Sequence, residues 1–229
     1  AIPRESVAVV VVPAEAEAKV KQIVASFEQV AIAEYAGIED AISIKAAEAA
    51  APATIIPDAV AKSLMAAMVA CPDGVAKMSM AMEGLVQTSN NLARVVSDGE
   101  CVKIQTLMRS SVRTEKEALG DAIKAVFELA GAEVALTGSY DGWAPNMESP
   151  ILNAMLASYE ALYGKKPAVT AIHAGLECGI IGSNYPGLDM ISFGPTICYP
   201  HSPDEKVEIA SVEKFYDFLL HTLKNAPKK

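Results

Sequence analysis

The chain has 229 residues, 52% of them hydrophobic and 21% charged, enough for a sizeable core in one large or two small domains. A formal net charge of −9 excludes a phosphate backbone as the main partner, because that needs clustered Lys and Arg. No apolar run near the start approaches the ~20 residues that cross a bilayer, and no basic segment leads into a small-residue cleavage site. No nucleic acid and no membrane are therefore expected as partners.

Residues 6–12 are β-branched and alanine-rich and stop at Pro13, which predicts a buried strand. Over residues 14–30, Val20, Ile23, Val24 and Phe27 recur at helical spacing, with Glu15 and Glu17 at the positive end of the helix dipole. Residues 42–51 fit strand or helix equally. Pro57-Asp58 opens a helix over residues 59–71, and Pro72-Asp73-Gly74 closes it. Residues 85–96 and 101–109 read as strands joined at Ser97-Asp98-Gly99, a hairpin signal. Thr114 is the expected N-cap of a helix running to about Ala130, where Gly131 ends it and residues 132–136 return as a strand. Residues 14–28 and 114–128 share seven of fifteen positions, so duplication and the chance likeness of two alanine-rich helices both stay open.

The segment from Thr137 to Pro145, rich in Gly, Pro and aromatics, is the best domain boundary. Beyond it Ser149 and Pro150 start a helix to Tyr163. Residues 168–172 and 190–193 read as short strands, and residues 207–223 as a final helix with Val212, Phe215, Phe218 and Leu219 inward. This alternation predicts an α/β fold whose last ninety or so residues form the edge of a doubly wound sheet. The four cysteines (Cys71, Cys101, Cys178, Cys198) form no CxxC pair and read as buried, reduced thiols of a cytoplasmic protein.

Chemistry is concentrated in few residues. His221, on the last helix, reads as structural or surface. His201 is pinned between Pro200 and Pro203 with Asp204 and Glu205 near, an arrangement that restricts an imidazole and suits metal or catalytic use as well as a structural one. His173 ends a predicted strand and precedes Gly175 and a helix start near Glu177, at a sheet edge favoured by ligands; a histidine satisfied by its own loop reads the same way. Arg109 and Arg113 flank Ser110-Ser111, where an arginine clamps a carboxylate or makes a structural ion pair.

Three motifs, residues 173–179 (HAGLECG), 189–195 (DMISFGP) and 200–207 (PHSPDEKV), resemble in order and spacing the aminoacyl-histidine dipeptidases, carnosinase-like members of the di-zinc aminoacylase/carboxypeptidase superfamily. The likeness extends over the chain, with residues 1–5 and 104–110 also matching. One departure is Asp141, where the family pattern has proline. The resemblance implies a lid and dimerisation α/β sandwich over residues 1–138, and over 139–229 the C-terminal portion of a zinc-peptidase catalytic domain. It implies hydrolysis of Xaa-His dipeptides by water activated between two zinc ions, with a homodimer formed through the lid. His201 corresponds to the last zinc ligand, Arg109 to a lid residue holding the substrate carboxylate or the oxyanion, and His173, Gly175 and Glu177 to the substrate pocket. The family's remaining ligands and its general base have no match here. Asp141, Glu148 and Asp189 lie outside any matching motif. Ala1 is not Met, and a strand-like segment follows at once, so the expectation is an inactive fragment of a zinc dipeptidase. A standalone dimerisation or ligand-binding module without catalysis is the alternative.

Overall fold

The computed structural model describes residues 2–173, 177–200 and 202–226. A short 3-10 turn, Ala14–Ala16, leads into α1 (Glu17–Glu34), followed by α2 (Asp58–Ala70) and three strands, β1 (Gly74–Met78), β2 (Val86–Ser97) and β3 (Val102–Ser110). Then come α3 (Arg113–Leu129), α4 (Pro150–Tyr163), α5 (Glu177–Asn184), the two-residue strands β4 (Ile197–Cys198) and β5 (Lys206–Val207), and α6 (Ile209–Lys224). The mixed α/β class is as expected.

β1, β2 and β3 form an antiparallel sheet in chain order. The Asp98 carboxylate closes the expected hairpin by accepting the Glu100 and Cys101 amides at 3.1 and 3.0 Å. A bulge between Leu92 and Arg94 shifts the β2–β3 register by one residue. One face carries the core: Leu92, Ile104 and Met108 pack on buried Leu119, Ile123 and Phe127 of α3, with Ala67 and Cys71 at the end of α2. The period of two in β3 leaves Lys103, Gln105, Leu107 and Arg109 on the opposite, exposed face.

α3 is capped at Val112, two residues before the expected N-cap Thr114. A chain of donors explains the shift. The Val112 amide donates to Ser110 Oγ (3.0 Å), Ser110 and Thr88 hydroxyls lie 2.8 Å apart, and Thr88 donates to the Glu115 carboxylate (2.7 Å). Lys77 and Gln87 reach the same carboxylate at 2.5 and 2.8 Å, so Glu115 ties the helix start to β1 and β2. These donors, Lys77 first, push its pKa down to about 2.

In the second half, Ser149 caps α4 as expected: its hydroxyl accepts the Leu152 amide at 3.1 Å, and Pro150 fills the first helical position. Both oxygens of Asp189 are engaged there, by Ser149 Oγ at 2.6 Å and the Ile151 amide at 2.8 Å. α4 packs on α6 through an aromatic cluster in which Tyr159 meets Phe218 edge-on, and Phe193 contacts Phe215 and Phe218. Of the four residues expected inward on α6, Val212 is exposed.

Several expectations are corrected. Residues 6–12, 132–136, 168–172 and 190–193 are not strands. Extended chain becomes strand only when a neighbour takes its backbone hydrogen bonds, and among the described residues none pairs with these segments. The first is not buried either, Val7 being 92% exposed. On α1, Ile23 and Phe27 face outward, and the buried residue is Glu28, held by the Ile44 amide and Lys45 at 2.9 and 2.8 Å. The doubly wound sheet edge is reduced to the β4–β5 pair among the described residues. Cys101 is exposed rather than buried, while all four thiols are free. No helix among the described residues is long and apolar enough to cross a membrane.

Two outcomes are expected. Replacing Ser149 by Ala removes the α4 cap and lowers stability by about 1 kcal/mol in urea unfolding. The Glu115 pKa is depressed in the folded chain, so its stabilisation is full above the ordinary glutamate range near 4.5 and is lost as pH falls from there towards 2. Glu115→Gln therefore lowers stability at neutral pH and flattens its fall over that window, read by urea midpoints against pH.

Candidate functional site

The outer sheet face brings two expected site residues together. Arg109, next to last in β3, has Ser89 of β2 as its direct cross-strand partner. Arg109 Nη1 donates to the backbone carbonyl of His173 at 3.3 Å. His173 Nε2 lies 2.6 Å from Ser89 Oγ. Side chains from a hairpin and a loop 64 positions further on thus form one polar group. Partial burial pushes the His173 pKa below the ordinary value, the Arg109 cation adds to this, and a hydrogen bond to the Val86 backbone works the other way. The imidazole is neutral at pH 7.

Arg109 and His173 lie on a cavity of about 680 Å³, whose wall includes Ser110, Ser111, Gly142 and Trp143. Two glycines set the packing beside it. A Cβ on Gly142 would fall 2.1 Å from the Ser110 carbonyl oxygen, and one on Gly179 would fall 2.4 Å from the Asp141 carbonyl oxygen. Only glycine permits this stacking of β3, the 141–142 loop and α5. Arg113 pairs with Glu117 at 2.9 Å and lies 3.9 Å from Asp141, a structural role.

Glu177 opens α5 but is exposed and is not among the described residues lining the cavity, so its expected part in the pocket is not joined to Arg109 and His173. Gly175 and His201 lie outside the described residues. Asp189 is committed to capping α4. Among the described residues no three His, Cys, Asp or Glu side chains are grouped to hold a metal. The described donors do not fit a two-zinc centre by themselves.

Ser89 was not anticipated. Counting outward from the Asp98-Gly99 turn without the bulge places Asn90, not Ser89, opposite Arg109. Nothing in the local sequence marks that bulge.

Comparison with known proteins agrees with this architecture. The family model described as Peptidase family M20/M25/M40 matches residues 3–225. The chain is 34% identical over 229 residues to the cytosol non-specific dipeptidase of Escherichia coli (strain K12), covering all of this chain and 47% of that protein. It is similar in structure to the aminoacylhistidine dipeptidase of Vibrio alginolyticus, with a TM-score of 0.82 and 38% identity over 95% of this chain and 44% of the other. The aminopeptidase PepT of Bacillus cereus shares the fold at a TM-score of 0.61 and 17% identity, over 73% of this chain and 45% of its own. The chain thus spans about half the length of the relatives it matches. On the family match across nearly its whole length, the chain is a member of peptidase family M20/M25/M40.

Proposed function

We propose that this chain supplies the substrate-recognition face and one metal ligand of a dipeptidase acting on Xaa-His dipeptides, and does not hydrolyse them alone. The observation that carries this reading is the convergence of Arg109 with the His173 segment at the cavity, from the two sides of the 137–145 boundary. On this reading residues 1–138 are most of a lid domain that also dimerises, and residues 139–229 belong to the catalytic domain. The exposed apolar residues Val7, Ile23 and Phe27 support a surface for a second copy. The names of the E. coli and V. alginolyticus relatives support the dipeptide class, and the former supports a cytoplasmic location.

The guanidinium of Arg109 is a planar fork suited to a dipeptide carboxylate, and the Nη1 bond to the His173 carbonyl fixes its plane. His201 is assigned as the one metal ligand, with Gly175 and Glu177 beside the substrate. Bound zinc ions would activate the attacking water, but a catalytic zinc takes three protein ligands, and two ions need more donors than this chain offers. The other ligands and the general base belong to the half of such proteins that this chain does not match.

Elemental analysis and a peptide-hydrolysis assay test this. The purified chain is expected to hold well under one zinc per chain and to leave β-Ala-His and other Xaa-His dipeptides uncleaved. Two zinc ions per chain with turnover would overturn it.

A further inference from the structure

Ser89 does not border the cavity, yet it holds a residue that does: its Oγ lies 2.6 Å from Nε2 of His173. We propose that Ser89 is a positioning residue of this site, holding the His173 imidazole in one orientation on the cavity wall beside Arg109. The strand assigns it that place. Along β2, Thr88 and Asn90 turn inward, at 2 and 3% exposed. Each has its own partners, Ser110 and Glu115 for the first and the Pro72 carbonyl for the second. The alternation of a strand turns Ser89, between them, to the outer face, where Arg109 stands directly opposite.

Two bonds from this cross-strand pair meet one residue, and they do different things. Arg109 Nη1 reaches the His173 carbonyl at 3.3 Å, long for an N–H···O bond, from an exposed side chain. That contact orients the main chain and leaves the ring free to turn about its side-chain torsions. The Ser89 contact is shorter, partly buried and made to the ring itself, so it is the one that fixes those torsions. Apolar burial does not do so in its place, because the preceding residue, Ile172, is 62% exposed. Held there, the ring is partly buried against a guanidinium, and both conditions disfavour the imidazolium. A ring set loose into water would take up a proton more readily and bring a second cation beside Arg109. Ser89 thus acts on the site through His173 and touches no ligand itself. That Arg109 takes a peptide carboxylate rests on the function proposed above, whereas the hold on the ring does not.

NMR of the isotope-labelled chain tests this, since only three imidazoles need assigning. In the native chain, cross-relaxation between the Ser89 Hβ protons and the His173 ring is expected, and its absence overturns the contact without any substitution. Ser89→Ala should raise the His173 titration midpoint towards the ordinary histidine value by about half a pH unit or more, roughly a threefold change in proton affinity, and leave His221 unmoved. Ser89→Thr keeps the hydroxyl and should hold the midpoint where the native chain has it, with backbone amide spectra confirming the fold of each variant. An unmoved or lowered midpoint in Ser89→Ala overturns the proposal. So does a rise that Ser89→Thr shares, since the hydroxyl is then not what holds the ring. None of these readouts involves zinc or dipeptide cleavage, so this proposal and the proposed function fail separately.

Discussion

The site depends on how β2 lies against β3. Antiparallel pairing with one bulge puts Ser89 opposite Arg109. From that pair the loop ending at His173 is held twice, through its carbonyl by Arg109 and through its ring by Ser89. The alternation of a strand then separates two duties along nine residues of β3. Ile104 and Met108 face α3 and hold the core, while Arg109 stands on the opposite face, although all three border the cavity. Ser110 closes β3 and opens the donor chain to Glu115.

Much of the fold was legible where its signals are local. Asp98-Gly99 marked the hairpin, and Pro57-Asp58 and Ser149-Pro150 marked helix starts. Failures occurred where a partner decides the outcome. Residues 6–12 have the composition of a buried strand, but composition cannot supply the neighbour that makes one. α1 has apolar spacing, yet the residue it buries is Glu28, because an amide and a lysine 16 and 17 positions away reach it. Thr114 has good capping chemistry, but Ser110 accepts the Val112 amide and the helix starts there. In the site, Arg109 and His173 were legible as polar groups at predicted strand ends, and their meeting was not. Ser89 was hidden by the bulge.

The second half holds together differently. Its packing is an aromatic cluster between α4 and α6, with an Asp189 carboxylate spanning 40 residues to the α4 start. Residues 168–170 and 191–193 line a further cavity of about 350 Å³ with Leu152, Tyr159 and Phe218. On the proposed reading these are sheet positions whose neighbours lie in the other half of such a peptidase. That reconciles strand-like composition with the lack of pairing among the described residues.

The stacked glycines also explain why the one departure from the family pattern is tolerable. What α5 leans on at position 141 is a carbonyl oxygen, and every amino acid has one. The aspartate side chain points elsewhere, towards Arg113. A site held by main-chain contacts of this kind constrains where glycine must stand and leaves its neighbours free to drift. Over evolutionary time, the identity of residue 141 should therefore vary more readily than that of residues 142 and 179.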